Sequence, residues 1–312
     1  MHWKLKAAIQ NTVSILPSST SYAMYYMIQR HFGGLGRINP VKSLTAGIET
    51  WKRIKKVGYD PSQKVFFEVG TGRMPIVPLS FWLMGAKSTV TIDVNPYIKE
   101  ELIKEAIGYI SENQEEIQLL FGSLLDKSRL EAVCSLCKSS AFSVHSFLEL
   151  CQIKYIAPGD AAKTPLEDKS IDIHTSYNVL EHIPRPILSG IIQEGNRIIN
   201  EHGLFVHRID YSDHFSHSDK SISAINFLQY SDSEWDRYAG NRYMYMNRLR
   251  HDDFLELFES AGHRILTNEA SKDNHSIELL SQGTLPLNER FKNKSEEILS
   301  ITDSWLVTQK GG

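Results

Sequence analysis

Residues 64–96 read KVFFEVGTGRMPIVPLSFWLMGAKSTVTIDVNP, and the order of residue types in this stretch sets the fold class. Val65–Val69 is a short apolar run broken only by Glu68, as expected of a strand covered on both faces. Gly70 and Gly72 follow, where the missing Cβ allows a tight turn and a close approach of backbone to a ligand. Pro75 and Pro78 suit the first turn of a helix, whose N–H groups have no partner within the helix. Gly85 closes that helix. Thr89–Asp93 then reads as a second strand ending on a carboxylate, about 20 residues beyond the glycine turn, where the ribose of a nucleotide would lie. Strand, turn, helix, strand and acid form half of a nucleotide-binding unit.

Outward from this unit, strands and helices alternate. Lys154–Ala157, Ile171–Ser176, Leu204–Ile209, His263–Thr267 and Ser304–Thr308 are the other strand candidates. RPILSGIIQEGNRII (185–199) is an amphipathic helix with Leu188, Ile191, Ile192, Gly195, Ile198 and Ile199 on one face. Asp252–Ala261 is another, capped by its acidic start and by Gly262. Such alternation predicts a mostly parallel sheet covered by helices on both faces. Residues 1–60 show helical spacing and no strand, so they are expected to form an N-terminal cap, with residues 61–312 as the main domain. About 98–152 is expected to be a helical insertion, because it is too long for one crossover helix.

Several functional classes find little support. The chain has 312 residues and a formal net charge of -3, so no overall basic bias points to nucleic acid. No run of 18 apolar residues exists to span a membrane. The N-terminal MHWKLKAAIQ segment leaves weak peripheral membrane contact open. Cys134, Cys137 and Cys151 are too few for a disulfide scaffold, and a reducing, cytoplasmic setting is expected. Cys134 and Cys137 form a lone CxxC on a helical stretch, with no second pair to complete a zinc site.

Glu68, Gly70 and Gly72 form E-x-G-x-G, and Arg73-Met74-Pro75 stands where a dinucleotide motif carries its third glycine. That glycine lets a helix pack under a pyrophosphate, so NAD is disfavoured. S-adenosylmethionine carries no phosphate. It needs a close backbone approach, a carboxylate for its ribose and a polar partner for its adenine, which Gly70, Gly72, Asp93 and Asp160 can supply.

On these residues the chain resembles the class I S-adenosylmethionine-dependent methyltransferases. EVGTGRMP resembles that family's first motif and TIDVNP its ribose-binding strand end. PGDAAKTPLEDKSIDIHTSYNVLEHI resembles its adenine turn, fourth strand and following loop, and HDDFLELFESAGHRI its late helix and strand. The likeness covers about residues 60–270. It implies a seven-stranded, mostly parallel Rossmann-like α/β sheet whose last strand, near Trp305–Thr308, inserts antiparallel. It also implies that Glu68, Gly70, Thr71 and Gly72 line the methionine side of the cofactor, that Asp93 holds the ribose, and that Asp160 and Ala161 meet the adenine. Tyr177 and Asn178 would face the methyl group.

The fifth strand runs into HRIDYSDHFSHSD, which carries His207, Asp210, Asp213, His214, His217 and Asp219. Ligands of such sheets bind beyond the carboxyl ends of the strands. A hydroxyl acceptor needs a base to take its proton as it attacks, and an imidazole beside a carboxylate can serve near neutral pH. His214 with Asp213 or Asp210 is the first candidate, followed by His207 and His217. His182, in LEHI, lies near the cofactor but is equally suited to anchoring a helix start. Asp210, Asp213, His214 and His217 are also possible ligands for a divalent metal, although a metal is not expected. A polar lid without chemistry is the third reading. Residues about 210–250 form the expected substrate segment, and AINFLQYSDSEWDRYAGNRYMYMNRLRHDDF is rich in aromatics and hydrogen-bonding groups. That mixture suits a saccharide or glycan-precursor acceptor, or else simple packing by Phe227, Trp235, Tyr243 and Tyr245. O-methylation of a sugar hydroxyl is the function expected. A small aromatic or lipid-like acceptor, an NAD-linked oxidoreductase and a non-catalytic relative of the methyltransferases are the alternatives.

Overall fold

A computed structural model describes residues 1–311. In chain order its elements are α1 (Trp3–Ser14), α2 (Ser18–Phe32), α3 (Val41–Lys56), β1 (Val65–Val69), α4 (Ile76–Leu83), β2 (Ser88–Ile92), α5 (Glu100–Glu112), α6 (Gln114–Phe121), α7 (Lys127–Lys138), α8 (Val144–Leu150), β3 (Ile153–Ile156), β4 (Ile171–Tyr177), α9 (Arg185–Ile198), β5 (Ile199–Asp210), α10 (Asp232–Ala239), α11 (His251–Ser260), β6 (His263–Lys272), α12 (Asn274–Ser281), α13 (Glu296–Ser300) and β7 (Ile301–Lys310).

The strands form one seven-stranded sheet in the order β3-β2-β1-β4-β5-β7-β6. The first five run parallel, and β7 lies antiparallel between β5 and β6. This is the expected architecture, including the inserted last strand. Alternation along β1 explains the two covered faces. Phe66 packs with Leu44, Ile48 and Trp51 of α3 and with α4, α5 and α7. Its neighbour Phe67 points the other way, into a cluster with α9 and α11. The Trp51, Phe66 and Phe81 rings stack in series at 5.9 and 4.3 Å.

Some boundaries differ from the expectation. The strand predicted from Leu204 begins at Ile199, because Ile199 pairs with Ile171 before the register jumps to Ile173 and Leu204. The extra residues lie inside the strand as an irregularity. β6 and β7 are about twice the expected length, since each satisfies its backbone on the other as an antiparallel ribbon. Among the N-terminal helices, α3 belongs to a sheet-covering layer, whereas α1 packs on the 210–250 segment. Trp3 and Ala7 join Phe215, Ile225, Phe227, Leu228 and Trp235 in a third cluster. The Trp3 N–H donates to Asp219 Oδ2 at 2.7 Å. No helix among the described residues is long and apolar enough to cross a membrane. Cys134 is buried, Cys137 half-buried, and all three thiols are free.

Candidate functional site

The strand order reverses between β1 and β4, and the crevice beyond their carboxyl ends is where open sheets of this kind bind ligands. Gly70, just past β1, has φ +87°, and a Cβ there would lie 2.6 Å from Val179 Cγ2, just past β4. The glycine turn and the loop after β4 therefore touch directly. Gly72 is also left-handed, at φ +66°.

Asp93 joins this turn to the second strand. Its Oδ2 accepts the Gly72 N–H at 2.9 Å and its Oδ1 accepts the Asn95 N–H at 3.1 Å. Burial pushes its carboxyl up, against the pull of those N–H groups. Each oxygen keeps a lone pair for a further donor. Val94 beside it is 68% exposed, an apolar side chain left on the rim. The Gly159 N–H donates to the Asp93 carbonyl at 2.9 Å, which draws the third turn alongside. There Asp160 Oδ1 caps the Ala162 N–H at 2.8 Å, and Ala161 is buried. A cavity of about 210 Å³ opens next to this region, lined by Tyr22, Tyr26, Arg73, Asn95 and Tyr97.

Four expected residues have supporting contacts. Glu68 is buried and accepts the Thr91 hydroxyl at 2.6 Å. Burial, partly offset by that bond and reinforced by Asp93, pushes its carboxyl up to about 8. Thr91 also pairs with the Thr71 hydroxyl at 2.6 Å, so Glu68, Thr91 and Thr71 brace the turn from below. Asn178, at φ +55°, donates its N–H to the Arg208 carbonyl and accepts from the Arg208 guanidinium through Oδ1. Tyr177 lies beside Arg208 and Trp305.

The polar loop after β5 sorts into two groups. His207 is fully buried: its Nδ1 bonds the Ser176 hydroxyl at 2.7 Å and its ring packs on His174 and Phe258. Burial, with the nearby His174 and His263, drives it well below the ordinary imidazole range. It cannot reach an acceptor. The reason is strand alternation, which turns His207 into the α11 side of the sheet. Asp213 is equally unavailable. Its Oδ1 accepts the Phe215 N–H and its Oδ2 the Asn226 side chain, both at 2.9 Å, so it staples the loop. Burial pushes it up to about 6, with Asn226 opposing. The carboxylate beside His214 is Asp210, not Asp213.

Asp210, His214 and His217 do come together. Asp210 Oδ2 lies 3.5 Å from His214 Nε2 and 3.8 Å from His217 Nε2. Burial would raise Asp210, but His214 and the Ser212 hydroxyl and N–H outweigh it and hold the carboxyl far below its usual range. Two residues from the loop after β4 complete the cluster. His182 packs on His214 with ring centroids 4.8 Å apart. Its Nδ1 donates to the Tyr245 carbonyl at 2.7 Å, which leaves the lone pair on Nε2. Burial, then His214, pushes it down to about 4. Glu181 is buried beside it. Asn247 clamps this loop, donating its N–H to the Glu181 carbonyl and its side chain to the Leu180 and Ile183 carbonyls. The sequence reading singled out His182 in LEHI and missed Glu181, although the motif places both directly after the β4 end. Its convergence with the β5 loop was not legible.

The aromatic segment is mostly core. Phe227 and Trp235 are fully buried with Trp3 and Phe215, and Tyr243 stacks on Tyr25. The Phe227 and Trp235 rings are therefore closed to any acceptor.

Residues 132–207 match a family model described as a methyltransferase domain. The match runs from α7 through β5, and the sheet around it is the seven-stranded, mostly parallel one with an antiparallel last strand that the sequence resemblance implies. Over these residues the chain is similar to a methyltransferase domain. No curated protein matches it in sequence. Among solved structures, it is similar to an S-adenosylmethionine-dependent methyltransferase from Mesorhizobium loti, at 10% identity and TM-score 0.45, over 85% of this chain and 100% of that one. A methyltransferase from Methanosarcina mazei aligns at 13% identity and TM-score 0.44, over 81% of this chain and 95% of that one. A Galdieria sulphuraria protein assigned as a sarcosine dimethylglycine methyltransferase aligns at 14% and 0.46, over 88% and 91%. S-adenosylmethionine is the cofactor that the sequence resemblance implies. The two left-handed glycines and the Asp93 carboxylate fit it, as they offer bare backbone and free acceptor lone pairs at the switch point.

Proposed function

We propose that the chain is an S-adenosylmethionine-dependent methyltransferase that transfers the methyl group to a hydroxyl oxygen, with a saccharide or glycan precursor as the acceptor class. The observation that carries the reading is the imidazole–carboxylate cluster at the carboxyl ends of β4 and β5, beside the glycine turn. Methylation of nitrogen or sulfur has little need of such groups, whereas an alcohol is a poor nucleophile until its proton leaves.

In this reading the Gly70–Gly72 turn admits the methionine portion of the cofactor. Asp93 accepts the ribose hydroxyls, and Asp160 with Ala161 meets the adenine. Glu68 and Thr71 hold the turn in shape, while Tyr177 and Asn178, fixed by Arg208, border the methyl position. When bound, S-adenosylmethionine supplies a sulfonium methyl whose carbon–sulfur bond breaks as the acceptor oxygen bonds to carbon. The hydroxyl proton passes to the imidazoles around Asp210. The rim supports a polyhydroxylated acceptor over an aromatic or lipid-like one, because Asp303, Arg208, Asn178 and His217 are polar. The free thiols of Cys134, Cys137 and Cys151 favour a cytoplasmic setting.

Calorimetry with S-adenosylhomocysteine and with NAD, followed by transfer of labelled methyl to a panel of saccharides, phenols and lipids, tests this. S-adenosylhomocysteine is expected to bind and NAD not, with label entering saccharides. Replacing His214 with Ala is expected to lower turnover about 100-fold or more while leaving S-adenosylhomocysteine affinity unchanged. Label entering only phenols or lipids, or near-normal turnover by His214→Ala, refutes the acceptor or the proton-transfer reading respectively. Binding of neither compound would favour a non-catalytic protein.

A further inference from the structure

Glu181 is the least explained polar group near the site. It is 2% exposed, and neither carboxylate oxygen accepts a well-aligned hydrogen bond. The N–H groups of Asp210 and of Glu181 itself lie nearby but out of line. A buried carboxylate without a partner is costly, and native structures rarely keep one without a cation or a donor. No lysine or arginine pairs with it among the described residues. Instead it faces lone-pair donors. A carboxylate oxygen of Glu181 and ring nitrogens of His182 and His214 all lie within 4.8 Å of one another. Asp210, His214 and His217 form a second such group, sharing His214. The buried His214 Nε2 also has no hydrogen-bond partner. Ligand atoms about 2.1 Å from one metal stand about 3–3.5 Å apart when adjacent, and the 3.5 Å from Asp210 Oδ2 to His214 Nε2 is already of that size.

We infer that Glu181, His182, His214 and Asp210 bind one divalent first-row cation, zinc or manganese. Two imidazoles and two carboxylates suit these ions better than calcium or magnesium, which prefer all-oxygen sites. The outer contacts also match a metal centre. The His182 Nδ1–H is held by the Tyr245 carbonyl and Asp210 Oδ1 by Ser212, which orient the ligands and leave Nε2 and Oδ2 for the ion. Asn247 fixes the backbone carrying Glu181 and His182. The inference replaces two of the metal candidates read from the sequence: Asp213 is committed to Asn226 and the Phe215 N–H, and His217 sits outside the four, its Nε2 already against the Ser212 hydroxyl.

The catalytic part rests on the proposed hydroxyl acceptor. The cation would bind the acceptor oxygen and lower its pKa. The O–H bond breaks, and its proton goes to His217, whose side chain is 54% exposed and can release it to water. The oxygen forms its bond to the methyl carbon, and the carbon–sulfur electron pair stays on sulfur. In this form His214 acts as a ligand, and the base is His217.

The test uses the full chain, stripped by dialysis against EDTA and titrated with MnCl₂ and ZnCl₂ by calorimetry, with bound manganese followed by electron paramagnetic resonance. One ion per chain is expected. Glu181→Gln and Asp210→Asn are expected to weaken binding at least tenfold, and Cys134→Ser to leave it unchanged. Circular dichroism and S-adenosylhomocysteine binding establish that each variant is folded. Failure of the stripped wild-type chain to bind either ion, or full affinity in both Glu181→Gln and Asp210→Asn, overturns the site. If an ion binds but chelation leaves methyl transfer intact, the catalytic role falls. If an ion binds and no hydroxyl acceptor is methylated, the proposed function falls and the site stands. If hydroxyls are methylated without any bound ion, the reverse holds.

Discussion

Replacing Gly70 with alanine should damage the protein in two separable ways. The first is backbone strain. At φ +87° an L-residue is in a region that costs about 1–2 kcal/mol. The second is overpacking. The new Cβ would stand 2.6 and 2.9 Å from the two γ-carbons of Val179, distances real Cβ contacts essentially never show. Forcing one extra carbon into a packed contact costs about 1–3 kcal/mol. Together they predict a loss of about 2–5 kcal/mol in urea unfolding. Val179→Ala removes both clashing carbons and should relieve only the second term. The double variant should therefore be less destabilised than the sum of the singles, by about 1–3 kcal/mol. Because Val179 begins the loop carrying Glu181 and His182, Gly70→Ala should also weaken S-adenosylhomocysteine binding, and the double variant should recover part of it. Strict additivity of the two substitutions would refute the contact as the cause and leave backbone strain alone.

Two further outcomes follow from the packing. Trp3 is buried against Phe215, Trp235 and Tyr238, so Trp3→Ala should cost about 3–5 kcal/mol in urea unfolding; a loss under about 1 kcal/mol would mean that α1 is not integral to the fold. His174 is fully buried, stacks on Phe205 at 4.7 Å, and has no hydrogen-bond partner on either ring nitrogen. Burial, then His263, pushes it down to about 3. Below about pH 6.5 the unfolded chain takes up a proton that the folded chain refuses. Stability contributed by this group is therefore present above that pH and lost as pH falls toward 3, by up to about 1.4 kcal/mol per pH unit. His174→Phe keeps the ring and removes the proton, so the acid-unfolding midpoint should move to lower pH, and an unchanged midpoint would contradict this.

Much of the fold was legible because local signals agreed with one another. Val65–Val69, Gly70, Pro75 and Asp93 each match the demand of a strand, a left-handed turn, a helix start and a strand end. The seven strands and the inserted β7 followed from alternation and from the resemblance built on those residues. The site was legible only in part. Asp210, His214 and His217 are close in sequence and meet in space. His207 and Asp213 stand in the same stretch yet are committed elsewhere, one by strand alternation and one by an amide thirteen residues away. For Phe227 and Trp235 the packing alternative read from the sequence holds, and composition could not choose it over acceptor stacking because it does not say which face of a segment is covered.

The sequence by itself determined the sheet, the glycine turn and the carboxylate that ends β2, since these depend on residues that are neighbours in the chain or fixed by strand spacing. Only the tertiary structure decided which groups meet beyond the ends of β4 and β5. Glu181 and His182 come from the loop after β4, Asp210 and His214 from the end of β5 and the loop after it, and Asn247, far along the chain, fixes the first loop. The pairing of β4 with β5 brings these loop ends side by side, and the burial that strips Glu181 of solvent comes from helices and loops packed over both. Contacts between such distant segments are set by packing, and no local pattern of residue types encodes them.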